Sequence, residues 1–587
     1  MLILFAFAIF LAVMLSLRWI ENVKTGNHLK SKTRVRWIFY IYCILVGIFF
    51  LLSAYYAIAG QRPLIWFFIF ALIGILSLYF GNSFTPKQRG FSILVITILA
   101  VVNSSIPIIQ NRGVIFGPDQ WRDLKVTTFI MDKGTFQNAP ELRTGYYAFI
   151  PLFNVLNAVI SEIVGWPAMT TIAVMQGVLC LLSAISVYAI MMKLDGRAAV
   201  SLVAVMLLLS TPRLSTVQAI PATASISLGF LLVLLFVKEN ASFLRNIFLI
   251  VAILAFATTV FHPVGMFPIL GVCMGTLLIN HFSTRERLRA RAISFTKRIF
   301  SICLIITLGY WSVDCQVFAG VFNPLRRFLL IFINFEASPS IYSPQYQSTG
   351  FELFSFAWAL PVAFSAAYLV LIPRSGRKGK SWFNRDLRQN VTYIAALVGL
   401  LLILGAFFSV IINPGAAVER YINMTGYALL IFPSSCVFGR FLLSHKKAAV
   451  LFSVLLLSTN VVIGSSSPDW APFENPAFGA FRSTFTSFIE ANTIVTLLPN
   501  NTFLYEDHDI PVAGVARLRN MLLVTDRSYQ TTRNVIQIFK NNSFSPFDTK
   551  YKAVVIVIKT DEIVDQRMFH NYINVVYNSK RHAAIIP

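Results

Sequence analysis

Residues 146–164 read YYAFIPLFNVLNAVISEIV. The run is as apolar as a membrane span and about as long, so whether it crosses decides the sidedness of everything after it. It also carries Asn154, Asn157, Ser161 and Glu162, which are costly in hydrocarbon. We therefore read it as an interfacial or re-entrant helix on the outer side of a membrane, not as a span. If it spanned, every later basic loop would turn outward.

That reading presupposes a membrane, and composition supplies one. Of 587 residues, 56% are hydrophobic, 14% are aromatic and only 13% are charged. The mean hydropathy is +0.69. A soluble domain carries about 25% charged residues and could not hide this much apolar surface in one core. A soluble enzyme and a disordered chain are both excluded, and lipid is the solvent for most of the molecule.

Apolar runs place spans near 2–17, 37–59, 64–80, 91–109, 166–191, 198–212, 219–237, 246–262, 264–281, 299–320, 351–372, 391–412, 421–439 and 448–464. The expected fold is a polytopic α-helical membrane protein of about fourteen spans. The first run lacks a basic leader and a small-residue cleavage site, so we read it as a retained helix.

The net charge of +24 belongs to this topology, not to nucleic-acid binding. Residues Ser465–Pro587 hold 12 Lys and Arg against 11 Asp and Glu, so +23 falls on the apolar part. Of its 37 basic residues, 27 lie in one alternating set of loops, including 18–36, 285–298 and 374–388. Basic loops stay in the cytoplasm. The N-terminus and the C-terminal region then face outside, as does the long loop 110–165. Phe328–Phe335 is too short to span and should lie at the outer interface.

Within Ser465–Pro587, short strands are expected at Thr502–Tyr505, Met521–Val524 and Tyr551–Ile558, with a last strand or hairpin near Val575–Ile586. Helices are expected at Gln530–Phe539 and Asp565–Tyr572. This describes a small extracytoplasmic α/β domain. The six cysteines all lie in apolar stretches without CxxC or Cys/His spacing, so neither a disulfide framework nor a zinc site is implied.

Chemistry concentrates in GPDQWRDLKVTTFIMDKG, Gly117 to Gly134. A helix there puts Asp119 and Asp123 on one face, four residues apart. Trp121, Leu124, Phe129 and Ile130 would form its membrane side, and Gly134 is placed to end it. Structurally, Asp119 could simply cap the helix while Asp123 pairs with Arg122 or Lys125. Further candidates are His262, before Pro263 at an outer helix rim, the pair Glu419 and Arg420, and Asp314 inside the tenth span. Asp469-Trp470 is weaker. Each has a bland reading alone: an interfacial His, a local ion pair, a buried hydrogen-bonded Asp. The basic loops, which do not include these residues, nevertheless place them on one outer side at similar depth.

At these residues the chain resembles the GT-C superfamily of membrane glycosyltransferases, most closely the protein O-mannosyltransferase and aminoarabinose-transferase type. The likeness rests on PDQWRDLKVTTFIMDKGTF continuing to YYAFIPLFNVLNAV, on the His-Pro of TTVFHPVGMFPIL, on the ERY of AVERYINMTGYALL, and on the trailing α/β domain. It covers roughly Phe91 to the C-terminus. Residues 1–90 are then extra N-terminal helices, 91–464 the transmembrane core and 465–587 the outer domain. The chain departs from many relatives in lacking an adjacent Asp-Glu pair in the first loop, and it has no WWDYG.

The resemblance implies transfer of a sugar from a polyprenyl-phosphate donor, of the dolichyl or bacterial kind, to a protein, glycan or lipid acceptor outside the cytoplasm of a prokaryotic cell, with inversion. Asp119 would be the base, and Asp123 would orient the acceptor or share that catalytic role. Arg420, His262, Glu419, Arg122 and Asp314 would bind substrate. Two carboxylates and a His could take Mg²⁺ or Mn²⁺, but Arg420 can replace a cation, so no metal is expected. The rival readings are a transporter or flippase of lipid-linked saccharides, and a non-catalytic relative that binds polyprenyl lipid. No internal repeat supports the transporter.

Overall fold

The computed structural model describes residues 31–59, 87–96, 118–137, 151–210, 221–237, 244–281, 286–313, 361–370, 387–412, 417–444, 502–506, 522–525, 553–559, 574–578 and 582–586, with a few single positions between 69 and 98. The helices are α1 (Ser31–Ala59), α2 (Pro118–Lys133), α3 (Leu152–Val164), α4 (Ala168–Leu194), α5 (Ala198–Ser210), α6 (Pro221–Val237), α7 (Leu244–Phe261), α8 (Phe267–His281), α9 (Glu286–Val313), α10 (Leu387–Ile412) and α11 (Ala417–Ser444). A 3₁₀ turn, Pro263–Met266, joins α7 to α8.

Among the described residues, three stretches are long and apolar enough to cross a membrane: Trp37–Tyr55, Ala168–Leu194 and Ile293–Ser312. Shorter apolar helices coincide with the expected spans from 198 to 281 and from 391 to 439. The runs at 2–17 and 448–464 lie outside the described residues, as does most of 64–80. One boundary differs. The basic segment 285–298, expected as a loop, is helical from Glu286 and continues into α9. Its Ala, Leu, Arg and Lys are good helix formers, so nothing local stops the helix at the edge of the apolar run.

The chain divides into two compact units. The first holds residues 1–106, 142–153 and 175–473. Its main core joins Val187, Leu202, Phe230, Val251, Ile269, Ile299, Ala395 and Phe432, drawn from α4 to α11. A separate cluster packs Ile38, Tyr42, Val46 and Phe49 of α1 against Ile69, Ile73, Leu76 and Val95.

Apolar side chains are exposed as well as buried, and many hydroxyls are buried among the apolar core. Ser183, Ser186, Thr258, Thr276, Thr307, Ser365 and Ser434 are buried, whereas Trp37, Tyr40, Ile44, Leu51, Tyr55, Val178, Ile253 and Ile305 are exposed. Buried hydroxyls bond across helices, Ser183 Oγ to Ser227 Oγ at 2.7 Å and Ser365 Oγ to Ser434 Oγ at 3.0 Å. In lipid no water satisfies these groups, so they turn inward while apolar side chains meet the solvent.

Small residues bring helices together. A Cβ on Gly399 of α10 would come within 2.7 Å of Leu430 of α11, and one on Gly426 within 2.8 Å of Ile403. Helix α11 continues through Pro433. The neighbouring Leu430 carbonyl accepts from Ser434 Oγ at 2.6 Å and Ser365 Oγ at 3.3 Å. Such hydroxyls supply backbone bonds near a membrane proline.

The second unit holds residues 107–141, 154–174 and 474–587. Its C-terminal part contains β1 (Thr502–Glu506), β2 (Leu522–Thr525), β3 (Ala553–Lys559), β4 (Asn574–Asn578) and β5 (His582–Ile586). The sheet order is β2-β1-β3-β5-β4. Strand β1 pairs in parallel with β2 and β3, and β5 pairs antiparallel with β3 and β4. The expected strands are present, and β4–β5 is the expected hairpin. The helices expected at 530–539 and 565–572 lie outside the described residues.

Candidate functional site

Helix α2 begins at Pro118, whose fixed φ suits a first helical position. It ends at Gly134, whose φ of +65° and N–H bond to the Ile130 carbonyl at 2.8 Å close the last turn. Asp119 and Asp123 therefore share one face, one turn apart, as the spacing predicts. The side chain of Asp119 lies outside the described residues. That of Asp123 is 1% exposed.

One expectation for α2 needs correction. The sequence suggests a surface helix with Leu124 on a membrane-facing side. Instead the consecutive residues Asp123, Leu124, Lys125, Val126 and Thr127 are all buried. This stretch is covered on every side, so a simple amphipathic pattern does not describe it. Arg122 Nη2 lies 3.4 Å from Asp123 Oδ1. This is the local pairing foreseen as the structural alternative, at a long distance for a charge-assisted bond.

Helix α3 makes up most of the described part of residues 146–164. It has 13 residues, about 20 Å of helix at 1.5 Å each, against about 30 Å of hydrocarbon. Gly165, at φ +72°, ends it, and the Trp166 N–H returns to the Ser161 carbonyl at 3.1 Å. This is the glycine-terminated cap that reverses a chain. Helix α4 starts three residues later.

Three of the four polar residues that argued against a span form a buried stripe, whereas Glu162 is exposed. Asn154, Asn157 and Ser161, spaced i, i+3, i+7, are 3%, 0% and 1% exposed, while Val159, Ile163 and Val164 are exposed. Thr127 Oγ1 of α2 reaches Asn154 Oδ1 at 3.5 Å, and Ser161 Oγ donates to Thr171 Oγ1 at 2.8 Å. Asp123, Thr127, Asn154, Asn157, Ser161 and Thr171 together make a buried polar seam in the second unit. In the sequence the Asn and Ser side chains serve only as an argument about topology. Their helical spacing on an otherwise apolar run is the signal that they belong to a site.

In the first unit, His262 precedes the 3₁₀ turn in an extended conformation. Its Nδ1 accepts from the Val264 N–H at 3.3 Å. A neutral imidazole with Nδ1 as acceptor carries its proton on Nε2. The ring was expected at an open rim but is 2% exposed. The physical reason is a close crossing of the turn over α6. Ser225 Oγ donates to the His262 carbonyl and accepts from the Gly265 N–H at 2.9 Å. A Cβ on Gly229 would strike the Gly265 carbonyl, and one on Gly265 would strike Ser225. Beside it, Phe261 packs edge-on to Phe153 at 6.4 Å.

Glu419 and Arg420 sit in the first turn of α11, with side chains outside the described residues. Asp314 and Asp469 are also outside them. The structure thus puts Asp119, Arg122 and Asp123 on one helix of the second unit, and His262, Glu419 and Arg420 in the first unit. Among the described residues, no group of three or more His, Cys, Asp or Glu forms a metal cluster.

No family model matches the chain, and no curated protein does. Among solved structures, the chain is similar to ArnT from Cupriavidus metallidurans bound to undecaprenyl phosphate. The identity is 14% and the TM-score 0.49, over 86% of this chain and 98% of that one. The apo form of the same protein gives 13% identity and a TM-score of 0.39, over 85% and 98%.

Proposed function

We propose that the chain is a GT-C type glycosyltransferase. It moves a sugar from a polyprenyl-phosphate donor to an acceptor hydroxyl on the outer side of a prokaryotic plasma membrane. The observation that supports this most is the buried polar seam of α2 and α3, begun by Asp123, in a helix pair too short to span. A short, inward-polar pair next to lipid is where a hydrophilic acceptor and a lipid-borne donor can meet. The motifs of the first outer loop, the His-Pro and the ERY support the same reading.

In the proposed reaction Asp119 takes the proton of the acceptor hydroxyl. The acceptor oxygen bonds to the anomeric carbon as the bond from that carbon to the phosphate oxygen breaks. The leaving group is polyprenyl phosphate, and one displacement inverts the centre. Asp123, fixed by burial and by Arg122, orients the acceptor. Arg420 holds the departing phosphate through paired donors, and the Nε2–H of His262 adds another. With Arg420 as the cation at the phosphate the reaction needs no divalent metal, so EDTA should leave transfer unchanged.

The reading is tested by incubating proteoliposomes of the full chain with a panel of undecaprenyl-phosphate-linked sugars and following release of undecaprenyl phosphate. Consumption of at least one donor, with formation of an α product from a β donor or the reverse, supports it. Binding of donors without any turnover across acceptors supports the non-catalytic reading instead.

A further inference from the structure

The C-terminal sheet places four chemically active residue types together. Glu506, Thr525 and Lys559 are the last residues of the parallel strands β1, β2 and β3, so they lie at one end of the sheet. His582 is the first residue of antiparallel β5 and lies at that same end. The register also puts them on one face. Glu506 pairs with Thr525 on one side and with Val557 on the other. Lys559, two residues beyond Val557, therefore shares this face, and it pairs with His582. The opposite face carries Phe503, Tyr505, Leu522, Val524, Ile556 and Ile558 at the same registers. The polar set is confined to one face and one end.

Strand order makes that end a topological switch point. From β1 the chain passes to β2 on one side, and then crosses to β3 on the other. Connections leaving β1 and β3 run in opposite directions, and in open α/β sheets such a switch point, outside the carboxyl ends, is where ligands bind. Glu506 and Lys559 flank it. Adjacent strands are about 4.8 Å apart and two residues rise about 6.7 Å, so these two backbone positions are about 8 Å apart. That is the span of one sugar ring with an attached anionic group.

We infer that this end of the sheet binds an anionic saccharide, a hydroxylated ring carrying a phosphate or carboxylate. Lys559, with His582 beside it, takes the anion. Glu506 and Thr525 take ring hydroxyls. A bare anion would meet the Glu506 charge, and a neutral sugar would leave Lys559 unused. The site rests on the sheet register and is independent of the transfer reaction proposed above.

The test uses the full chain in nanodiscs, titrated calorimetrically with glucose 1-phosphate, glucuronate, glucose and inorganic phosphate. At least one anionic sugar should bind about tenfold or more tightly than glucose and phosphate. Which of the two wins tells phosphate from carboxylate. Lys559→Gln should reduce its affinity to that of glucose, and Lys559→Arg should restore it. Glu506→Gln should weaken the sugars but not phosphate. The inference is overturned if no probe binds, if Lys559→Gln and Glu506→Gln bind as the parent does, or if binding is lost in Asp119→Asn and retained in both sheet variants.

Discussion

Replacing Gly265 with Ala should unseat the turn that carries His262. The added Cβ falls on Ser225, in both side chain and backbone, so no flexible neighbour can give way. Overpacking of this kind costs about 1–3 kcal/mol. The turn must lift from α6, which breaks the bonds from the Gly265 N–H to Ser225 Oγ and from Ser225 Oγ to the His262 carbonyl. Each is worth about 0.5–1.5 kcal/mol, for a total of about 2–6 kcal/mol. Gly47→Ala is the matched control, because nothing lies within 4 Å of a Cβ there. It should be neutral or stabilise α1 by up to about 1 kcal/mol through helix propensity. Denaturant titration of the purified chain in mixed micelles measures both. If Gly265→Ala unfolds at the same midpoint as Gly47→Ala, the close crossing and the stated cause of His262 burial are wrong.

Leu51→Lys, at a position 73% exposed on α1, should impair insertion by about 3 kcal/mol if that face meets lipid, and do nothing if it meets water; membrane integration in vitro reads the difference. His262→Asn keeps a capping side chain and should hold stability, whereas His262→Ala should lose about 0.5–2 kcal/mol. If both variants lose donor turnover, the ring has a chemical role beyond the cap, and if His262→Asn retains full turnover it has none. Arg420→Ala should raise KM for the donor more than for the acceptor, and equal effects on both would remove it from the phosphate role. A cysteine at Asp132, which is exposed on α2, should react with a membrane-impermeant maleimide added outside intact cells. Protection there, with labelling of 285–298, would invert the topology.

Helices are legible wherever an apolar run meets a breaker. Gly196 lies just before α5 and Pro221 opens α6. The β-branched run Ala553–Lys559 announces β3, but not its neighbours. Pairing β1 with β3, fifty residues apart, depends on sheet order that no local pattern encodes. The start of α9 escapes the sequence because charge, which resembles a loop signal, does not stop a helix. The burial of His262 escapes it because that burial depends on Gly229 and Gly265 meeting across two helices. Periodicity places Leu124 outward, yet the stretch from Asp123 to Thr127 is enclosed on all sides, where periodicity carries no information. Asn154, Asn157 and Ser161 count against a span in the sequence, but their burial depends on what packs over α3, which the sequence does not show.

In the proposed reaction a carboxylate on α2, Asp119, performs base catalysis on a lipid-linked sugar. This role is tested most directly by the single-turnover rate of Asp119→Asn in proteoliposomes loaded with the donor that the parent consumes. The expected result is a loss of about 10²–10⁴-fold, with donor binding and unfolding midpoint unchanged. A variant that transfers sugar at near the parent rate would contradict it.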